Sequence, residues 1–134
     1  RAAKTGADAI IVSNHGGRQL DGTSSSIAML PRVADAVGSQ IEIMFDGGVR
    51  SGPDILRALA LGAKSCMIGR AYVWGLGAGG QDGVAKAIDI LRRELDVNMA
   101  LCGVKNVRDI DRNIVMSQDG TGAATRSKRP ARKR

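Results

Sequence analysis

The sequence predicts an α/β fold built on a parallel sheet, and three observations predict it. Three apolar runs are each followed by a helical period. The first of them is continuous rather than alternating, as expected of a strand covered on both faces. Each run ends in a glycine-bearing loop. Strand, loop and helix repeated three times is the βα unit of a parallel architecture. An open doubly wound sheet would carry a dinucleotide fingerprint in its first turn, but GGVRSG lacks the G-x-G-x-x-G spacing and no acidic ribose partner stands out. A (β/α)8 barrel instead builds its site on the loops at the C-terminal ends of its strands, with phosphate held by the last two. The second and third units carry glycine and arginine at those points, so the three are read as strands six, seven and eight of a TIM barrel. Three strands cannot close a barrel alone.

The elements follow in order. The chain opens with RAAKTGADAI, read as the last turn of a helix running through Gly6 into a strand, so a C-terminal part of something longer is expected. The first strand is Ala9–Val12. A helix is expected over Ser26–Val37, with Ile27, Leu30, Val33, Ala34 and Val37 spaced by three and four and Gly38 ending it. The second strand covers 41–45. Its helix is announced by Ser51 as cap, Asp54 completing a capping box and Pro53 in the first turn, and it ends at Gly62. The third strand is placed at 64–68, ending at Gly69 and Arg70. A short glycine-punctuated helical piece over 71–78 and a longer helix over 83–101 close the ordered part.

Composition narrows the class. Of 134 residues 43% are hydrophobic and 25% charged, as in a soluble globular chain, and no apolar run approaches the roughly 18 residues of a spanning helix. One Trp, one Tyr and one Phe against 18 Gly suit a small-residue α/β core and disfavour a surface that stacks nucleic-acid bases. No nucleic-acid partner is expected. The net charge of +7 sits mainly in residues 117–134, where six basic residues face one acid. Residues 1–115 are read as one folded unit and 116–134 as a disordered basic tail; a solvated tail is favoured over an anion-binding one. Cys66 and Cys102 are far apart and form no C-x-x-C, so no metal site is expected.

The loops carry the chemistry. In Asp46-Gly47-Gly48-Val49-Arg50 the adjacent glycines let backbone N–H groups approach an anion, and a helix N-terminus follows directly. Arg50 can add a charge-assisted bond to phosphate, and the Asp46 carboxylate can accept from sugar-like hydroxyls. Gly69 and Arg70 repeat the logic one unit later. His15, the only histidine, stands in SNHGGRQLDG (residues 13–22), at the strand end from which barrel enzymes project catalytic groups. An unperturbed pKa of about 6.5 suits an imidazole to take and return a proton. Arg18 offers a planar fork matched to a carboxylate. On the residues alone, a loop histidine satisfied by backbone remains an equal alternative.

SNHGGRQLDG, followed by DGGVRSGPDILRALALGA and IGRAYVWGLGA, resembles the FMN-dependent α-hydroxy acid dehydrogenase/oxidase family, which includes L-lactate dehydrogenase, glycolate oxidase and lactate monooxygenase. The resemblance covers about residues 6–115. The DGG-x-R-x-G and GR motifs are shared with other phosphate-binding barrels such as IMP dehydrogenase-like enzymes; SNHGGRQLDG is the specific one. The resemblance implies FMN as cofactor and oxidation of an L-2-hydroxy acid, L-lactate first, to the 2-oxo acid. It makes His15 the catalytic base and a substrate contact, Arg18 the holder of the substrate carboxylate, Asp46, Gly47, Gly48 and Arg50 the loop around the ribityl chain and phosphate, and Gly69 with Arg70 the second phosphate loop. Ser13 matches a position of flavin contact.

The family also needs an aspartate to orient the histidine, a lysine near the flavin ring, a tyrosine and a second arginine, all on earlier strands. None is in this chain, which is therefore expected to be inactive alone. Further expectations are a homo-oligomer at full length, an electron acceptor that is oxygen, a quinone or a cytochrome, and a location that is cytoplasmic or peripheral at the inner membrane. The C-terminal ARKR is not a peroxisomal address. Two rivals stand beside this reading: another phosphate-binding barrel in which His15 is incidental, and a non-enzymatic binder of anionic surfaces or nucleic acid through the basic tail.

Overall fold

The computed structural model describes residues 1–116. The proposed tail, residue 116 apart, lies outside the described residues. Three parallel strands, β1 (Ala9–Val12), β2 (Glu42–Phe45) and β3 (Ser65–Cys66), lie side by side in the order β1-β2-β3. Ile11 pairs with Met44 and Val12 with Phe45; Met44 and Phe45 pair in turn with Ser65 and Cys66. Helices α1 (Ser26–Val37) and α2 (Gly52–Ala60) follow β1 and β2, and α3 (Arg70–Leu101) follows β3.

The core forms where one face of the sheet meets α1 and α2. Val12, Ile43 and Phe45 from the strands pack with Leu30 of α1, Ala58 of α2, and Val49 and Ala63 of the loops. Leu30 and Ile43 are fully buried. The period of two in β2 follows directly, since Ile43 and Phe45 point at the helices. On the opposite face Ile11 is 48% exposed and Met67 45% exposed. The first strand is thus covered on one face only by the described residues, whereas its continuous apolar run predicts cover on both.

α1 has the predicted bounds. The Ser25 side chain accepts the Ala28 N–H and caps it, and Gly38 closes it by donating to the Ala34 carbonyl. α2 begins with Pro in its first turn and with the Asp54 carboxylate turned back on the chain, where Oδ2 accepts from the N–H groups of Arg50 and Ser51, each at 3.1 Å. β3 is only two residues long, shorter than the predicted 64–68. Its flanks still reach β2, through Lys64 N–H to the Ile43 carbonyl and Met67 N–H to the Phe45 carbonyl.

α3 spans both predicted helical pieces, and Gly79 and Gly80 break it with non-helical angles. The two halves touch backbone to backbone: a Cβ on Gly83 would lie 1.9 Å from the Gly75 carbonyl oxygen. The second half also crosses α2 closely, since a Cβ on Gly52 would meet the Leu95 nitrogen at 2.3 Å. Glu94 uses the proximity to accept the Gly52 N–H at 2.7 Å. Beyond α3, Arg112 pairs with Asp35 at 2.6 Å and ties the C-terminal segment to α1. No helix among the described residues is long and apolar enough to cross a membrane.

Candidate active site

Parallel strands deliver their C-terminal ends to one edge of the sheet, and the loops after β1, β2 and β3 meet there. They enclose a cleft of about 290 Å³ lined by His15, Gly16 and Arg18 from the first loop, by residues 46–50 from the second and by Met67, Gly69 and Arg70 from the third. Eight of the nine sequence-predicted residues, His15, Arg18, Asp46, Gly47, Gly48, Arg50, Gly69 and Arg70, line this one cleft.

Ser13 does not line it. Its Oγ donates to Asp46 Oδ2 at 2.6 Å and accepts the His15 N–H at 3.1 Å. The hydroxyl therefore joins the loop that carries His15 to the loop that carries Asp46. A hydroxyl has one proton to donate, and here the carboxylate receives it.

His15 itself has a φ of 54°, the only positive φ outside glycine among the described residues. Side chains with a Cβ adopt this left-handed geometry at a cost of order 1 kcal/mol and keep it where their surroundings fix it. Gly16 and Gly17 continue the left-handed turn at φ 67° and 72°. The loop therefore turns tightly enough to set both the imidazole and Arg18 on the same cleft.

The charge of the cleft is one-sided. Arg18, Arg50 and Arg70 face a single carboxylate, Asp46, and none of the three forms an ion pair among the described residues. Three free guanidinium groups in one concavity suit a ligand with two anionic ends or one polyanionic end.

The helix termini sharpen this. The sequence places an anion at the start of α2, but the N–H groups of Arg50, Ser51 and Gly52 are already taken by Asp54 and Glu94. At the start of α3 the cap is Gly69, no side chain caps the helix, and no acid lies in its first turn. The free amides and the positive end of the dipole are thus at Gly69 and Arg70, and the second loop contributes glycine backbone and the Arg50 side chain.

Three residues that contact the cleft's loops or arginines were not singled out in the sequence. Trp74, one turn into α3, lies under Arg50 with the guanidinium carbon 5.7 Å from the ring centroid; a lone tryptophan four residues after Arg70 was the available signal. Ser26 accepts the Asn14 N–H at 3.1 Å, and in sequence it is hidden among three consecutive serines. Asn14 lines a second hollow of about 450 Å³ on the other side of the same glycine loop, which shares Gly16, Gly47, Gly48, Val49 and Arg70 with the first.

With this geometry in view, a sequence model of the family described as FMN-dependent dehydrogenase matches residues 1–117. The chain is 52% identical over 118 residues to an L-lactate dehydrogenase of Caulobacter sp. (strain K31), covering 88% of this chain and 31% of that protein. It is 52% identical over 111 residues to an L-lactate oxidase of Nostoc sp., covering 83% and 30%. A solved mandelate oxidase variant carrying the monooxide FMN adduct superposes with a TM-score of 0.81 at 46% identity, over 84% of this chain and 36% of that one. The chain thus spans about a third of the length of the relatives it matches.

Proposed function

The chain belongs to the FMN-dependent dehydrogenase family, and on that premise we propose that the intact protein, at the length of its relatives, oxidises an L-2-hydroxy acid, L-lactate first, to the 2-oxo acid. The observation that carries this is the single cleft in which His15 faces three arginines that form no ion pair among the described residues, at the ends of three parallel strands. The uncovered sheet face bearing Ile11 and Met67 supports a barrel in which these strands are six, seven and eight, because the remaining strands would cover it.

The residues present fit FMN. The uncapped start of α3 with Arg70, together with Arg50 and the Gly47-Gly48 backbone, would hold the phosphate, and Asp46 is placed to accept from ribityl hydroxyls. When bound, FMN supplies a two-electron acceptor.

The chain's own residues do the rest. Arg18 binds the substrate carboxylate as a planar fork. His15 takes a proton from the 2-hydroxy acid, so that loss of two electrons and two protons leaves the 2-oxo acid. Ser13 orients Asp46 and the His15 amide. The upstream residues that complete the site in the family are outside this chain, so the 134 residues alone are inactive. The electron acceptor is oxygen, a quinone or a cytochrome, the protein is a homo-oligomer, and its place is cytoplasmic or peripheral at the inner membrane.

The test uses the purified intact protein. It should carry flavin absorbance that L-lactate bleaches without oxygen, and His15→Gln should keep the flavin and lose the bleaching. A colourless protein would favour a different phosphate-binding barrel, and bleaching retained in His15→Gln would overturn the role of the base.

A further inference from the structure

Ser26 is the one polar or charged residue buried among the described residues, at 5% exposure. A buried hydroxyl is costly without a partner, and the partner here is the Asn14 N–H, donated to Ser26 Oγ at 3.1 Å. Ser26 is the first residue of α1, yet it is not the cap of that helix, since Ser25 accepts the Ala28 N–H. The other side of the hydroxyl is closed by Gly47, where a Cβ would lie 2.7 Å from Ser26 Oγ. The hydroxyl is therefore wedged between the loop that carries His15 and the loop that carries Asp46.

His15 holds a φ of 54°, a geometry that its surroundings must fix. Two successive amides are fastened by serine hydroxyls: His15 N–H by Ser13 and Asn14 N–H by Ser26. Ser13 is exposed, whereas Ser26 is 5% exposed at the edge of the second hollow, so its bond to the Asn14 N–H is the more shielded of the two. We infer that Ser26 is a positioning residue, whose hydroxyl fixes the Ser13–Asn14 peptide at the entry to the His15 turn and so keeps the imidazole over the cleft. The inference rests on the reading of His15 as the base.

The test compares the intact wild type with Ser26→Ala, Ser26→Thr and Ser26→Cys. Three quantities are read: deuterium uptake at the Asn14 amide, the Kd for FMN, and the rate constant and amplitude of anaerobic flavin bleaching by L-lactate. In Ser26→Ala the uptake should rise, the FMN Kd should stay within about twofold, and the bleaching rate constant should fall about tenfold or more, because a small misplacement of a catalytic group is costly. Ser26→Thr should restore most of the rate. Ser26→Cys keeps the volume with a poorer acceptor, and should show the same loss if Ser26→Ala fails to fold.

A role in folding alone would lower the amplitude and the Tm but leave the rate constant of the folded fraction unchanged, and that outcome overturns the inference. So does unchanged uptake at Asn14. If the wild type itself is not bleached by any 2-hydroxy acid, the reading of His15 fails instead, and the uptake still decides whether Ser26 holds the loop.

Discussion

Ser13 Oγ and Asp46 Oδ2 lie 2.6 Å apart across the ends of β1 and β2, and the same Oγ accepts the His15 N–H. The residue read in sequence as a flavin contact is thereby committed to two protein groups. Removing the hydroxyl frees both of them. Ser13→Ala is expected to weaken FMN binding about fivefold, as loss of one net hydrogen bond of about 1 kcal/mol implies, and Ser13→Thr to restore it. Equilibrium titration of the apoprotein with FMN checks this, and an unchanged Kd in Ser13→Ala would show that Asp46 needs no such anchor.

Gly47 and Gly48 should respond differently to a methyl group. Both have positive φ, 118° and 79°, but a Cβ on Gly47 would meet Ser26 Oγ at 2.7 Å while one on Gly48 meets nothing within 4 Å. Gly48→Ala should therefore cost only the backbone strain, about 1 kcal/mol. Gly47→Ala adds the displacement of a buried hydroxyl and should cost about 2–4 kcal/mol. Urea unfolding midpoints of the two variants give the difference.

The sequence made most of this frame legible because βα units announce themselves locally. The α1 bounds, the Asp54 capping box and the three loops follow from short-range spacing. What stayed hidden is what depends on distant chain. Which helix start keeps its amides free turned on Glu94, forty-two residues beyond Gly52. The bond from Ser13 to Asp46 spans 33 residues. Trp74 acquires its role only when α3 brings it under Arg50.

Asp54 caps the start of α2. Its Oδ2 serves the N–H groups of Arg50 and Ser51 and the Ser51 hydroxyl, so Asp54→Ala should cost about 1 kcal/mol, the usual worth of a helix cap. FMN affinity should change less than twofold, since the amides at α3 are untouched. A large loss of affinity would return the anion site to the start of α2.

Cys66 and Cys102 should react at different pH. Burial pushes the Cys66 thiol from 9.0 up to about 11, whereas Cys102 is exposed. At pH 8 the Cys66 thiolate is thus about a hundredfold scarcer than that of an ordinary thiol, and iodoacetamide should label Cys102 first. The raised value also sets a sign: the thiol's contribution to stability is complete below pH 9 and is lost as pH rises through about 11. Mass spectrometry of labelled peptides, native and in urea, follows both effects, and equal labelling of the two native thiols would refute the burial of Cys66.

Arg50 over Trp74 is a cation–π pair at 5.7 Å, and Trp74 is 60% exposed, so the ring has little packing of its own to lose. A pair at such a site is worth about 0.5–1 kcal/mol. Its use is orientation, because an arginine without an ion pair would otherwise sample many rotamers before meeting a phosphate. Trp74→Leu is therefore expected to raise the FMN Kd about two- to fivefold with little change in Tm. Arg50→Ala should raise it further, since the charge itself goes. The double variant separates the two effects: if the ring acts only through Arg50, adding Trp74→Leu to Arg50→Ala changes nothing more, and a further loss would mean that the indole meets the ligand directly.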